Sequence, residues 1–367
     1  MLSLDRSVHD ANSPVAKRIA ALSIAAGEIV VLTPETGNRV LAFFRLWRKA
    51  NKLLTYNLQL TRLPTRLRSA CLCRHGRQAN GQVGGQATYN LITVQDTAYL
   101  ALLAYLLAKK SRLPFEVQVH GFERCTGIRA VVTKFVLQRA TQIRVVSSRL
   151  RQLLTTNYKL PTTKLYTLSI YTQTHPTSIL PSKERRKPDS PFTFLTVGRL
   201  VPVKNIEIQI EAFAQLEKEF PDTRLIIVGD GPLRGSLQFQ VESLRLKDKI
   251  LLEGRQEDVG KYYAEADAFL LTSDLEGWGV AVTEAAAYSL PIIITDVGLA
   301  GEFIKGDENG LVIPVGDTAA LVSAMKRLAT YASLRKRLGE AALRAFEALP
   351  APKEQIQKQV AAWKSFI

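Results

Sequence analysis

Two pairs of charged residues define the chemistry this chain could perform. Glu276 and Glu284 stand eight residues apart in DLEGWGVAVTEAAA (Asp274 to Ala287), directly after the apolar run AFLLTS that begins at Ala268. Arg199 and Lys204 follow the run FTFLTV in the same way, with Gly198 at the turn. A carboxylate accepts hydrogen bonds from hydroxyl groups, so Glu276, just before a helix, suits sugar hydroxyls, and Glu284, two turns further on, suits the adjacent hydroxyls of a ribose. Arg199 offers a planar fork for phosphate oxygens and Lys204 a mobile point charge, a combination able to neutralise a departing diphosphate. Gly277 and Gly279 let the backbone come close, and the first turn of a helix leaves N–H groups free to face an anion. Read in isolation, the two acids are a helix cap and a surface charge. The cations at the neighbouring turn are what favour the ligand-binding reading. No D-x-D segment occurs, so a divalent metal is not expected.

These residues need a scaffold, and the pattern around them supplies one. FTFLTVGRL, IEIQIEAFAQLEKEF and TRLIIVGDGP read as strand, helix and strand, each strand closing on a glycine turn. KILLEG, ADAFLLTS, VAVTEAAAYS, PIIITDVG and GLVIPVGD continue the alternation, which predicts a mostly parallel sheet covered by helices. The first half alternates less cleanly. MLSLD is a short strand, Ser13-Pro14 opens a helix over 15–26, and EIVVLT, LITVQD, FEVQVHG, QIRVVSS and KLYTLSI are strands. Helices are expected over 98–110 and around 131–140. Residues 39–89 give no clear assignment beyond a helical LAFFRLWRKANKLL, and GQVGG is read as a solvated loop. The four prolines of TQTHPTSILPSKERRKPDSP mark a linker. The expected fold class is α/β, with two Rossmann-like doubly wound domains facing a central cleft. The first covers 1–171, the linker covers 172–191, the second covers 192–350, and a final helix covers 351–367.

Composition narrows the function classes. The chain has 367 residues, 46% of them hydrophobic and 22% charged, as in a soluble globular protein. Its longest strongly apolar stretch, AYLALLAYLLA, has eleven residues, against the ~20 needed to span a bilayer. MLSLDRSVHD carries no secretory signal pattern, so a cytoplasmic location is expected. Cys71, Cys73 and Cys125 fit neither a disulfide framework nor a metal cluster. Residues 1–190 hold 29 Lys and Arg against 9 Asp and Glu, while the remainder holds 20 against 24. A basic first half suits a polyanion, either the anionic inner face of the membrane or a nucleic acid. The membrane reading places Arg129, Lys134, Arg139, Arg144, Arg149 and Arg151 toward lipid, with Phe135, Val136 and Leu137 inserting shallowly. The same apolar residues could equally form the helix's core face. No nucleic-acid motif is visible, which leaves that class as the alternative.

Residues 192–330 resemble the retaining GT-B glycosyltransferases of the family-4 (glycosyl transferases group 1) type. The resemblance lies in VGRLVPVKN, IIVGDGP, LLEGRQEDVGKYYAEADAFLLTS, the E-x7-E segment and NGLVIPVGD. It implies a nucleotide-diphosphate sugar as donor substrate and no other cofactor. Arg199 and Lys204 would hold the diphosphate, Glu276 the donor sugar and Glu284 the ribose. Backbone at Gly254 and Arg255 would meet the base, and Gly198, Gly277, Trp278, Gly279 and Val280 would line the donor site. VQVHGFE and RVVSSRL resemble the acceptor domain more weakly and set His120 near the donor sugar. Asp5 and Arg6 stand where many relatives carry Gly-Gly, and become candidates for the acceptor side. PKEQIQKQVAAWKSFI resembles the family's last helix, with Trp363 and Phe366 as anchors. The implied activity is front-face transfer of a sugar to a lipid-linked or polysaccharide acceptor at the membrane surface; a small-molecule or storage-glucan acceptor is the alternative.

Overall fold

In the first domain the central strands alternate polar and apolar residues, and most of both sets are buried. The computed structural model describes residues 13–26, 45–46, 48–50, 90–121, 126–170 and 190–367. The expected strands at MLSLD and EIVVLT, Asp5, Arg6, the three cysteines and nearly all of the linker lie outside the described residues. Within them, α1 (Pro14–Ala26) starts as expected, with the Ala16 amide donating to Ser13 Oγ at 3.0 Å. Strands β1 (Ile92–Val94), β2 (Phe115–Val119), β3 (Gln142–Val145) and β4 (Leu165–Thr167) form a parallel sheet in that order. Helices α2 (Tyr99–Ser111), α3 (Gly127–Arg139) and α4 (Ser148–Tyr158) connect them. Phe115, Val117, Val119, Ile143 and Val145 share a core with Leu103 and Leu107 of α2 and with Val136 and Leu137 of α3.

The alternate residues, Glu116, Gln118 and Arg144, are buried as well. The final helix, α11 (Pro352–Lys364), meets this polar set: Trp363 Nε1 donates to Glu116 Oε2 at 3.0 Å and Gln359 Nε2 to Tyr166 Oη at 2.6 Å. Trp363 and Val360 also pack on Leu22 of α1, with Phe366 alongside.

Two expectations for this half change. Val136 and Leu137 are fully buried and Phe135 meets the Tyr105 ring edge-on at 5.5 Å, so these three form the core face of α3 and do not insert into lipid. Arg144 is buried and Arg149 engages Asp296 of the second domain, so the six basic residues do not share a surface. Helix α4 was not anticipated; Ser147 caps it, its Oγ accepting from the Leu150 amide at 3.2 Å.

The second sheet has six parallel strands in the order β10-β9-β8-β5-β6-β7. These are β5 (Phe192–Val197), β6 (Thr223–Val228), β7 (Ile250–Gly254), β8 (Ala268–Leu271), β9 (Ile292–Thr295) and β10 (Leu311–Ile313). The chain winds outward from β5 to β7 and returns to place β8 on the other side of β5. Their C-terminal ends therefore part at the crevice where open α/β sheets bind ligands. The turns after β5, β6 and β7 interlock: Gly198 N donates to Val228 O at 3.0 Å, Leu200 N to Asp230 O at 3.0 Å and Gly229 N to Gly254 O at 2.8 Å. A Cβ on Gly229, whose φ is +141°, would overlap the Gly198 carbonyl.

This contact gives a stability prediction. Gly229→Ala should lower the urea-unfolding free energy by roughly 1–3 kcal/mol, from strain and overlap together. Gly235→Ala in α6 (Arg234–Ser243), where nothing lies within 4 Å of the added carbon, should cost nothing. Equal losses in both variants would remove the close-packing account.

Candidate active site

A cavity of about 350 Å³ opens at the C-terminal ends of β5 and β8, with His120 and Ile170 of the first domain on its far wall. Eight residues singled out from the sequence line it: His120, Gly198, Lys204, Glu276, Trp278, Gly279, Val280 and Glu284. Of the remaining six, Asp5 and Arg6 lie outside the described residues and four do not line it. Arg199 and Arg255 are exposed, and Gly254 ends β7, two strands away from β5. Gly277 stands against the first domain, where a Cβ would overlap the His120 carbonyl. Its close backbone approach is therefore to another backbone.

Lys204 is placed by a short 3-10 turn over Pro202–Lys204 that ends on Asn205 in the left-handed region at φ 46°. Hydrogen bonds fasten this turn to the segment after β8. Asp274 N donates to Val203 O at 2.9 Å, Asn205 Nδ2 to Asp274 Oδ1 at 2.9 Å and Thr272 Oγ1 to Asn205 O at 2.9 Å. Buried Gln209 then donates to Thr272 Oγ1 at 2.7 Å. With the turn held, Lys204 Nζ forms an ion pair with Glu276 Oε1, which also accepts from Ser273 Oγ at 2.9 Å. Only 21% of the Lys204 side chain and 12% of the Glu276 side chain are exposed, so the pair is largely shielded from water. Asn205 closes the segment VGRLVPVKN and Thr272 and Ser273 close LLEGRQEDVGKYYAEADAFLLTS, though neither segment marks them for a role, and Gln209 lies outside both.

Glu284 is the fifth residue of α8 (Val280–Ala287), just over one turn into the helix and not two turns from its start. Gly279 precedes the helix with φ 86°, a conformation that glycine adopts without strain. Tyr263 Oη donates to Glu284 Oε2 at 2.8 Å, and the Tyr263 ring stacks on Tyr288 with centroids 5.5 Å apart. Burial raises the pKa of Glu284, an effect the Tyr263 hydrogen bond partly opposes. Burial also pushes the Tyr263 phenol well above its ordinary value, so it stays a donor. Trp278 is buried against the same cavity, and its Nε1 has no hydrogen-bond partner among the described residues.

The two domains also touch beside the cavity. Glu302 accepts from Ser148 N at 2.8 Å and Ser148 Oγ at 2.7 Å, and Arg149 donates to Asp296 Oδ1 at 2.6 Å and Ala300 O at 3.2 Å. These contacts join residues more than 140 positions apart, which spacing along the chain cannot reveal.

Two parallel α/β domains with a cation-bearing cavity between them have the GT-B fold. The structure superposes on HepE of Anabaena in complex with UDP-glucose with a TM-score of 0.73 at 17% identity, covering 100% of this chain and 99% of that one. Residues 181–345 match the family described as glycosyl transferases group 1. Over 160 residues the chain is 31% identical to N-acetyl-alpha-D-glucosaminyl L-malate synthase of Bacillus anthracis, covering 44% of this chain and 42% of that relative. Over 140 residues it is 31% identical to UDP-Gal:alpha-D-GlcNAc-diphosphoundecaprenol alpha-1,3-galactosyltransferase of Escherichia coli, covering 37% and 36%. The matched stretch thus spans well under half the length of each of these relatives.

The environment of Glu284 makes a pH-dependent prediction. Because its pKa is raised in the fold, its contribution to stability is complete below the unfolded value and is lost as pH rises through the folded value. Glu284→Gln keeps the acceptor for Tyr263 and cannot ionise. The melting temperature of the variant relative to the parent should therefore climb from pH 4 to pH 7. A gap that stays flat or closes over that range would show that burial does not disfavour the carboxylate.

Proposed function

We propose that this protein is a retaining glycosyltransferase that moves a sugar from a nucleotide-diphosphate sugar to a lipid-linked or polysaccharide acceptor. The observation that carries the reading is the preplaced Lys204–Glu276 pair, set with Glu284 around one cavity at the switch point of a group 1 domain. In the proposed reaction the bond from the anomeric carbon to the diphosphate oxygen breaks as the acceptor hydroxyl approaches the same face. The acceptor's proton passes to the departing phosphate oxygen, so no protein nucleophile is required. Lys204 and the open N-terminal amides of α8 stabilise the charge that develops on the leaving group, with Arg199 at the mouth of the cleft. Glu276 takes the sugar hydroxyls and Glu284 the ribose, while His120 faces the sugar from the other domain. This assignment places the leaving-group charge on protein groups, without a bound metal.

The acceptor reading draws support from the Escherichia coli relative, whose name places its acceptor on a diphosphoundecaprenol carrier. The Bacillus anthracis relative is named for a malate product, so the two relatives differ in the acceptor their names imply. What favours a lipid surface lies in the first domain. Ile128 and Val131, one turn apart on α3, are 76% and 70% exposed, and Lys134 continues the row. Leu106, Lys109 and Lys110 are exposed on the neighbouring α2. Apolar side chains flanked by lysines suit shallow insertion at an anionic interface, where each cation adds ~1 kcal/mol. Among the described residues no helix is long and apolar enough to cross a membrane.

Two measurements check the proposal. Lys204→Ala should lower turnover with the best of a panel of UDP-, GDP- and ADP-sugars by on the order of 10² while the protein still unfolds cooperatively. Turnover close to the parent's would remove Lys204 from the leaving-group role. In co-sedimentation, vesicles containing phosphatidylglycerol should capture the protein at low salt and release it at high salt, with Ile128→Ser/Val131→Ser binding more weakly. Equal capture by neutral vesicles would refute the anionic-surface reading, and salt-sensitive binding to RNA alone would favour the nucleic-acid class instead.

A further inference from the structure

We propose that Gln118 is a positioning residue that fixes the tautomer of His120, holding the ring hydrogen on Nε2 and leaving Nδ1 as the acceptor. The argument begins at a buried carboxylate. Glu116 is fully buried. Its Oε2 accepts from Thr93 Oγ1 at 2.5 Å, Gln118 Nε2 at 2.8 Å and Trp363 Nε1 at 3.0 Å. Its Oε1 accepts from Tyr166 Oη. Gln118 Nε2 also donates to Thr93 Oγ1 at 2.9 Å, an oxygen whose own hydrogen is committed to Glu116.

The Gln118 NH2 group is thereby committed to the Glu116 side. Its Oε1 faces Arg144 Nη1 at 3.4 Å and His120 Nε2 at 3.4 Å. A flipped amide would set its oxygen against the Glu116 carboxylate and its NH2 against a guanidinium that can only donate. Two fixed charges on opposite sides, one an acceptor and one a donor, therefore choose the orientation. Arg144 is itself held, donating from Nε to Leu168 O at 3.2 Å and from Nη2 to Ser169 O at 3.1 Å. With Oε1 turned toward the ring, His120 must present a hydrogen at Nε2. In the neutral imidazole Nδ1 is then the acceptor.

The consequence rests on the proposed sugar-transfer site, because His120 lines that cavity. The tautomer itself does not, and can be read without any substrate. The chain has four histidines, so selective 15N labelling gives a resolvable set of ring signals, with His120 assigned by its loss in His120→Gln. The expected parent spectrum shows the Nε2–H form above the ring's titration. Gln118→Met should convert this to a mixture of tautomers. Glu116→Gln, which removes the charge that orients the amide, should shift the ratio in the same direction. Trp363→Phe, which leaves Glu116 its other donors, should lower stability and leave the ratio unchanged. An Nδ1–H parent, or an unchanged ratio in a cooperatively folded Gln118→Met or Glu116→Gln, would overturn the proposal. A correct tautomer in a protein without sugar transfer would refute only the functional reading.

Discussion

Where Gly277 meets the carbonyl of His120 there is no room for a side chain, and the arrangement of the site depends on that contact. Gly277 follows the acid that pairs with Lys204 and precedes by two residues the left-handed Gly279 that starts α8. Seating this one residue against the first domain therefore orients the ion pair and the helix end together. Gly298 presses from the other side, where a Cβ would crowd that of Glu276. The segment is located by steric exclusion. The polar contacts nearby add little, since Arg149 and Asp296 are 42% and 59% exposed and such pairs contribute ~0–1 kcal/mol. A close fit held by weak bonds is suited to a cleft that must admit and release a ligand.

A second constraint runs through the first domain. A carboxylate in a dry interior is tolerated only when donors replace its water. Glu116 receives them from β1, from its own strand, from β4 and from α11, the last element of the chain. Docking α11 is thus a condition for burying Glu116, and the same network reaches Gln118 and the edge of the cleft. Arg144, the opposite charge, is joined to it through the Gln118 amide. The polar face of the sheet gives up apolar burial, and in return the far end of the chain is connected to the site.

Much of this was legible in the sequence where local rules decide. Period-two alternation marked β2 and β3, and glycine turns after apolar runs marked the cavity, so most of the residues that line it were named from the motif segments. What stayed hidden concerns partners. Alternation shows that Glu116, Gln118 and Arg144 share a face, but a helix some 240 residues away covers it. Arg144 counted as one of a basic cluster because sequence registers charge and not burial. The need of Gly277 for close approach was readable, while its partner, the His120 carbonyl, was not. Helix α4 escaped because SRLRQLLTTNY buries only Leu150 and Leu154, too thin a stripe to register as a period.

The cavity finally contains two carboxylates whose surroundings separate them. Glu276 has a cation and a hydroxyl as neighbours, and Glu284 has a phenol and burial. A diphosphate entering the proposed site brings negative charge, which two ionised carboxylates would repel. Raising the pKa of Glu284 by burial reduces that repulsion, and Lys204 already balances Glu276. Sharing Lys204 with phosphate oxygens would loosen its grip on Glu276, leaving that carboxylate free to accept hydroxyl hydrogens from the sugar. On this view the ion pair is a holding arrangement: each partner keeps the other placed and desolvated until a ligand of complementary charge and hydrogen bonding divides them.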